Sequence, residues 1–341
     1  MRAGSGGSLQ APPLQGLIPP PDDPQLREAA EALVEAGGGT VAALLLYGSH
    51  VQNSNPDRWS AYDFMAVVDS YTAFFQSLRA GGHHGKPPRI MAALAYLLPP
   101  NIISFRWGDE GQTPAKCAVV NPRHLRRSLG PRSPDHFLKG RVVQKLALVW
   151  ARGPEEEEML LSALRMARDG IVRWVRPFLQ GDFDLERFAE TMLRVSYRGE
   201  IRPENSGRVL QVFRSQREVL LAISEESISA AVVRGEVIPC PAGYRWARPP
   251  GRTVRWVYTL YFVRSKARAT SRWFKYMFTF EGWLDYIARK IERRAGFKVE
   301  VSERERRWPL IFLWPKMFWV LRTVKESEPD PSEDGGAPHE R

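Results

Sequence analysis

Gly48 and Ser49 end an apolar run over 44–46, and Asp63 opens a second apolar run after a polar loop. Glycine lets the backbone approach a ligand closely, and serine adds a hydroxyl beside backbone N–H groups. A carboxylate at the start of a strand beside that turn could hold a metal ion against phosphate groups. The spacing therefore predicts a phosphate site built from one turn and one acid. An ordinary tight turn beside a strand carboxylate is the alternative.

A Gly-Ser turn facing an acidic strand is typical of nucleotidyltransferases of the DNA polymerase β superfamily. The general pattern there has two acids that flank one residue, whereas position 61 of this chain is Ala. Asp69 lies farther along the same strand, about 20 Å from Asp63 at ~3.3 Å per residue, too far to bind the same ion. We therefore expect one Mg²⁺ ion held mainly by substrate phosphates, or a further carboxylate supplied from elsewhere in the chain.

Length and cysteine content limit the class of protein. The 341 residues are enough for two domains with appendages. The two cysteines have no metal-ligand spacing, which argues against a disulfide framework or a zinc site and favours a reducing compartment. Residues 1–24 are rich in Gly, Pro and Ser and resemble neither a secretory signal nor a mitochondrial presequence. They are predicted to be a disordered leader.

The positive charge is concentrated near the carboxyl end. The chain has a net charge of +11, and residues 251–325 hold 18 Lys and Arg against 6 Asp and Glu. The same segment holds most of the tryptophans, so it implies a partner that is both anionic and apolar. The apolar run over 308–321 is shorter than the ~20 residues that span a bilayer, and Pro315 and Lys316 interrupt it.

A basic surface rich in Trp is favoured at the lipid–water interface. We therefore predict docking on an anionic membrane surface through an aromatic set: Trp308, Phe312, Trp314, Phe318 and Trp319. One alternative is an aromatic core with solvated charges around it. Another is single-stranded nucleic acid, whose bases stack on aromatic rings. Because hydrocarbon rewards aliphatic bulk and bases do not, we expect no nucleic-acid partner.

The periodicity predicts an α/β chain. A helix is expected over 25–36, with Asp23 as its N-cap and Pro24 at its first position. Two helical pieces are expected over 71–98, broken by glycines and prolines. Strands are expected at 101–107 and 116–120, which with the two site runs would complete a small mixed sheet. The later predictions are helices at 138–151, 158–180, 185–195 and 207–223, and a linker or turn cluster over 235–250.

Three blocks carry a resemblance to a known family. They are Tyr47-Gly48-Ser49-His50-Val51 with Asp63-Phe64; Lys116-Cys117-Ala118-Val119-Val120 with Gly140-Arg141 and Lys145; and Ser196-Tyr197-Arg198-Gly199-Glu200-Ile201-Arg202. Their order and spacing over about 45–215 resemble the mitochondrial-type phosphatidate cytidylyltransferases (the translocator assembly and maintenance proteins), which are peripheral membrane enzymes. The chain departs from that pattern at His50, where the family has Gly, and at Glu200, where it has Asp. It also lacks the family's His and Asn pattern over 70–100.

The resemblance implies a domain order. A nucleotidyltransferase domain with a DNA polymerase β-like mixed sheet and helices is expected over 25–137. A mostly helical, winged-helix-like domain over 138–240 would follow, with CTP between the two. A basic aromatic membrane-docking segment over 241–326 and a disordered tail over 327–341 would complete the chain. A divergent bacterial member of this kind would be cytoplasmic and peripheral on the inner face of the cell membrane.

The implied reaction is attack of a phosphatidate phosphate oxygen on the α-phosphorus of CTP, with Mg²⁺ as cofactor and pyrophosphate as the leaving group. The nucleophile is already an anion, so the step depends on positioning and charge neutralisation. The implied roles are as follows: Asp63 binds Mg²⁺ as the catalytic acid, Gly48 and Ser49 cradle the triphosphate, Lys116, Arg141 and Lys145 meet phosphate oxygens, and Glu200 and Arg202 face the nucleotide. A nucleotidyltransferase acting on RNA or protein, and a non-catalytic membrane scaffold with a decayed site, remain alternatives.

Overall fold

The computed structural model describes residues 14–52, 61–108, 115–199 and 206–284, together with Ser302. The chain divides into two compact units, Met1–Phe280 and Glu281–Arg341. Every helix and strand given below lies in the first unit.

Six strands within the described residues form one mixed sheet in the order β1-β6-β2-β3-β5-β4. They are β1 (Leu17–Ile18), β2 (Val41–Tyr47), β3 (Asp63–Val68), β4 (Asn101–Phe105), β5 (Ala115–Val120) and β6 (Leu146–Ala151). Strand β2 is antiparallel to both β3 and β6, whereas β3 is parallel to β5. Apolar side chains of β2 enter the cores on both faces, which explains its uninterrupted apolar sequence.

Helices cover both faces of this sheet, and a third core lies in the helical part that follows it. The helices are α1 (Pro24–Ala36), α2 (Tyr71–Ala80), α3 (Pro88–Leu97), α4 (Pro122–Leu129), α5 (Phe137–Val142), α6 (Pro154–Asp169), α7 (Ile171–Val175), α8 (Leu185–Tyr197), α9 (Ser206–Ser215), α10 (Arg217–Val233) and α11 (Arg252–Thr279). Helices α1, α2 and α3 line one face of the sheet. Helices α4, α5 and α6 line the other. The α/β class is confirmed.

The first helix follows its sequence signals closely. The side chain of Asp23 accepts a hydrogen bond from the backbone N–H of Gln25 at 3.0 Å, Pro24 is the first helical residue, and Gly37 is the C-cap. The expected break between the two following helices is also confirmed, since α2 ends at Ala80 and α3 begins at Pro88. Local capping and turn residues thus set these boundaries.

The predicted helix over 138–151 is wrong in its second half. Helix α5 ends at Val142, and β6 pairs with β2 on one side and β1 on the other. Its sequence Leu-Ala-Leu-Val-Trp-Ala is apolar throughout, as a strand between two neighbours requires, and such a run has no period that separates strand from helix. The boundary placed at 137/138 therefore misassigns β6, which belongs to the first sheet.

Two further predictions need correction. Residues 14–24 are not a disordered leader, because β1 pairs with β6, Leu14 is buried and Pro24 opens α1; residues 1–13 lie outside the described residues. The predicted linker over 235–250 holds an antiparallel hairpin of β7 (Val237–Cys240) and β8 (Gly243–Trp246). The ring N–H of buried Trp246 donates to the backbone oxygen of Leu179 at 2.9 Å, which anchors that hairpin.

Candidate functional site

One end of the sheet collects the predicted site residues that the structure describes. Asp63, the first residue of β3, pairs with Tyr47 at the end of β2 on one side and with Lys116 in β5 on the other. Lys145 directly precedes β6, which runs antiparallel to β2, so it lies at the same end of the sheet. The strand order therefore assembles residues that are far apart in sequence along four neighbouring strands.

The turn after β2 packs directly on the acid of β3. Gly48 has φ +82°, and a Cβ atom at this position would lie 2.8 Å from Oδ2 of Asp63. Its carbonyl oxygen accepts hydrogen bonds from the backbone N–H groups of Val51 and Gln52, both at 3.1 Å, so the chain bends tightly here. Both the left-handed backbone and the close approach require glycine. The predicted juxtaposition of turn and carboxylate is present.

A lysine lies beside the same carboxylate. The Nζ atom of Lys116 is 3.5 Å from Oδ1 of Asp63, and the two side chains are 22% and 24% exposed. This distance is long for an ion pair, and both groups keep contact with solvent. The carboxylate and the ammonium group can therefore both reorient toward a charged ligand.

Tyr47 is a member of the site for which no role was predicted. Burial and the nearby Asp63 raise the pKa of the Tyr47 hydroxyl, while Arg141 and Lys116 act in the opposite direction. The hydroxyl therefore remains protonated near neutral pH and can donate a hydrogen bond. The guanidinium carbon of Arg141 lies 5.9 Å from the centre of the Tyr47 ring, which brings α5 to this end of the sheet. The position of Tyr47 directly before Gly48 is the feature of the sequence that could have identified it as a site residue.

Arg141 is held against its own helix. Its Nη1 donates to the backbone oxygen of Phe137 at 2.7 Å, and its guanidinium carbon is 3.7 Å from the centre of the Phe137 ring. Stacking on an aromatic face fixes the guanidinium plane while leaving its charge in place. The predicted phosphate-binding arginine is thus positioned beside Tyr47.

A network of amide side chains, missed by the sequence analysis, joins the bend to the helical part. The Oε1 atom of buried Gln144 accepts from Gln52 at 2.8 Å, from Gln216 at 3.3 Å and from the Tyr197 hydroxyl at 3.4 Å. Gln216 in turn accepts from the backbone N–H of Lys145 at 3.0 Å. Neutral amides give no charge signal in a sequence, so only the fold reveals this connection.

The second and third sequence blocks meet through glycines. A Cβ at Gly140 would lie 2.7 Å from the backbone oxygen of Ser196, so α5 and α8 touch backbone to backbone. A Cβ at Gly199 would lie 2.7 Å from Cβ of His136 and 2.9 Å from Oγ of Ser265. Both glycines therefore serve close packing around the end of α5.

Ser49 lies at the predicted site, whereas Asp69 lies away from it. Ser49 is half-buried within the bend, next to Gly48. Asp69 pairs with Arg152 at 2.6 Å at the opposite end of β3, which confirms that it does not join Asp63. Seven predicted site residues lie outside the described residues: Glu200, Arg202, Trp308, Phe312, Trp314, Phe318 and Trp319.

Asp63 offers one carboxylate to a divalent cation. Position 61 is a buried alanine, and the part of the chain that the structure describes contains no group of three or more His, Cys, Asp or Glu arranged to hold a metal ion. Mg²⁺ is commonly bound through one or two carboxylates together with substrate phosphates. The residues therefore fit an ion held by Asp63 and chiefly by phosphate oxygens, with Lys116 as an adjacent positive charge.

Helix α11 has apolar residues on the side turned away from its core. Trp256, Leu260 and Val263 are 68%, 64% and 60% exposed, and Phe274 and Phe278 are also exposed. We call these five residues the outer face of α11. The helix contains seven Lys and Arg and no Asp or Glu. None of the helices in the described ranges is long and apolar enough to cross a membrane.

Comparison with sequence models of known protein families gives no match, and no curated protein matches the chain significantly. We therefore interpret the site from its own geometry. A turn, one acid and the positive charges of Lys116, Arg141 and Lys145 at one end of a sheet are suited to holding a polyphosphate.

Proposed function

We propose that the chain transfers CMP from CTP to phosphatidate at a membrane surface, producing CDP-diacylglycerol and pyrophosphate with Mg²⁺. One observation supports this most strongly: the backbone of Gly48 lies against the carboxylate of Asp63, so the turn and the acid share one place. The resemblance of three sequence blocks to phosphatidate cytidylyltransferases supports the choice of this reaction among nucleotidyl transfers.

The arrangement meets the demands of such a transfer. Because the attacking phosphate oxygen is already ionised, the protein has to align the reactants and neutralise their charge. Lys116 and Arg141 supply positive charge on either side of the turn, and the protonated Tyr47 can donate to a phosphate oxygen. Asp63 would hold Mg²⁺, which when bound neutralises charge on the triphosphate.

The outer face of α11 supports the membrane part of the proposal. Transfer of exposed Trp, Leu and Phe side chains into the lipid–water interface is favourable, and each basic residue near an anionic surface contributes ~1 kcal/mol to binding. A helix with seven basic residues and no acidic ones is suited to that surface. We therefore propose that the protein is cytoplasmic and peripheral on the inner face of the cell membrane.

The test is transfer of labelled CMP by purified full-length protein, supplied with CTP labelled at the α-phosphate, Mg²⁺ and phosphatidate vesicles. The wild type should form labelled CDP-diacylglycerol, and Asp63→Asn should lower the rate at least about 100-fold because it removes the charge that faces the turn. Asp69→Asn is the matched control, since Asp69 lies on the same strand at the opposite end. The Asp69→Asn variant should form CDP-diacylglycerol at the wild-type rate.

Three other results would each identify a different error. An unchanged rate in Asp63→Asn would refute the assigned role of that carboxylate. Labelling of RNA or protein, with no lipid product, would indicate a nucleotidyltransferase of another kind. Binding to vesicles without release of pyrophosphate would indicate a membrane scaffold, the alternative that the missing second acid suggests.

A further inference from the structure

Asp135, two residues before the start of α5, joins two arginines of α11. Its Oδ2 accepts from Nε of Arg268 and from Nη2 of Arg272, both at 2.8 Å, and its Oδ1 accepts from the backbone N–H of Phe137 at 3.1 Å. The side chains of Asp135 and Arg272 are only 5% and 4% exposed. Within the described residues, one carboxylate therefore pairs with two guanidinium groups, which leaves a positive charge over in a largely buried place.

Two buried lysines also interact with Asp135. Burial, together with Arg272 and Arg268, lowers the pKa of Lys275 to about 6. Burial and Arg173 lower the pKa of Lys139 to about 8, although Asp135 acts in the opposite direction. Burial is the main cause of both shifts, and nearby guanidinium groups add to it.

Arg272 also has donors that no acceptor satisfies. Its Nη2 donates to the backbone oxygen of Pro99 at 3.0 Å as well as to Asp135, but its buried Nε and Nη1 have no hydrogen-bond partner within the described residues. Its guanidinium carbon lies 4.5 Å from the centre of the Phe137 ring. An aromatic ring attracts a cation through its face but carries no oxygen that accepts a hydrogen bond. Contact with Phe137 therefore does not satisfy these donors.

The same ring connects Arg272 to the end of the sheet. Arg141 lies 3.7 Å from the centre of the Phe137 ring, so the two guanidinium carbons are at most about 8 Å apart. Arg141 in turn approaches Tyr47, which pairs with Asp63. Arg141 and Arg272 therefore both contact Phe137, and Arg141 also lies near the end of the sheet that holds Asp63.

We propose that Arg272, Arg268 and Arg141 form a subsite for a phosphomonoester dianion. The oxygens of such a ligand would accept hydrogen bonds from the N–H groups of the arginines, and its negative charge would offset the surplus positive charge. Arg268 is 27% exposed and Arg141 is half-buried, so the ligand approaches from their side. That this ligand is the acceptor in CMP transfer rests on the proposed function, whereas binding of the phosphate group does not.

Binding is tested by calorimetric titration of the full-length protein with glycerol 3-phosphate, a soluble phosphomonoester. Arg268→Gln and Arg272→Lys should each weaken binding about tenfold or more, since each removes charge-assisted hydrogen bonds. Lys266→Gln is the matched control, because it removes one positive charge from an exposed position of the same helix. It should keep the wild-type affinity for glycerol 3-phosphate.

Two results would overturn the subsite: wild-type affinity in both arginine variants, or an equal loss in Lys266→Gln, which would indicate general attraction to a basic helix. If Arg272→Lys fails to fold, Arg268→Gln still tests the subsite, because the Arg268 side chain is partly exposed and its replacement disturbs the fold less. A subsite that serves a lipid should bind short-chain phosphatidate more tightly than glycerol 3-phosphate, with the same sensitivity to Arg268→Gln. Equal affinities would identify a soluble phosphate ligand instead.

Failure of the subsite and failure of the proposed function are distinguishable. A protein that binds glycerol 3-phosphate through these arginines but forms no CDP-diacylglycerol supports the subsite and refutes the transfer. A protein that forms CDP-diacylglycerol, with unchanged phosphate binding in Arg268→Gln, refutes the subsite alone.

Discussion

Two aspartates, each beside a basic side chain, are held in very different ways. Asp63 lies 3.5 Å from Lys116, with both side chains more than a fifth exposed. Asp135 lies 2.8 Å from Arg272, with both side chains almost completely buried. The first pair is loose enough to exchange its partner for a ligand. The second fixes α11 to the start of α5.

The difference between the two pairs follows from how much solvent reaches each of them. An exposed pair is screened by water and contributes little to stability, so its charges remain available at small cost. A buried pair is expensive to break, because removing one partner leaves the other without compensation. The pair at the end of the sheet is therefore suited to exchanging its partner for a ligand, whereas the buried carboxylate holds the two arginines of α11 in place.

The largest expected effect is on stability, from breaking the buried pair. Asp135→Asn leaves Arg272 and Arg268 without a carboxylate, and should lower the free energy of unfolding by about 3–5 kcal/mol. Asp63→Asn should change it by less than about 1 kcal/mol. Urea denaturation of both variants measures the contrast. Equal losses would show that the two pairs do not differ as their geometry indicates.

A smaller effect is expected at the turn beside the loose pair. Gly48→Ala would place a side chain in a left-handed conformation, at a cost of about 1–2 kcal/mol, and would push Asp63 away. Gly39→Ala is the matched control, because its φ of +77° is similar and nothing lies within 4 Å of an added Cβ. Chemical denaturation should show a similar loss of stability in both variants, whereas titration with CTP should show weaker binding only in Gly48→Ala. Retained CTP affinity in Gly48→Ala would separate the turn from the ligand site.

A further effect concerns pH and the surroundings of the tight pair. Nζ of buried Lys275 donates to the backbone oxygens of Leu98 and Pro100, and burial together with Arg272 and Arg268 lowers its pKa to about 6. Between that value and the ordinary pKa of ~10.4 the unfolded chain binds a proton that the folded chain lacks, so stability rises with pH. The slope should reach up to about 1.4 kcal/mol per pH unit between pH 7 and 9.

Lys275→Met should remove most of this slope below about pH 8, where the pKa of Lys139 lies, whereas Lys266→Met, on the exposed side of the same helix, should keep it. Denaturation curves at several pH values give the comparison. A slope that persists in Lys275→Met would mean that another group titrates there.

The sequence predicts those parts of the fold that local signals determine. The cap at Asp23, the proline at position 24 and Gly37 define α1 without reference to the rest of the chain. The apolar runs of β2 and β3 likewise indicate buried strands, and their ends place Gly48 and Asp63 together once they pair. This part of the candidate site therefore follows from residues close in sequence.

Other elements depend on distant partners and escape local signals. Strand β6 is an apolar run without a period, and β1 has only two residues, so neither is recognisable before the sheet forms. Helix α11 mixes apolar and basic residues on both sides, because Trp256 and Leu260 are exposed while Arg272 is buried. Since polar residues are not confined to one face, its hydrophobicity has no helical period.

The parts of the site that were missed are contacts rather than motifs. Gln144 bonds to residues of the bend and of two helices, and Arg272 reaches Phe137 and Asp135 across more than a hundred residues. Nothing near either residue in the sequence specifies those partners. Their roles arise only when the helical part closes on the sheet.

The place of β6 between β1 and β2 affects how the chain folds as it leaves the ribosome. Leu17 emerges early, but its partner Leu146 is made 129 positions later. The nascent chain therefore carries the glycine bend and its acid before Lys145 and α5 exist to flank them. Such long-range closure slows folding and leaves an open sheet edge exposed meanwhile.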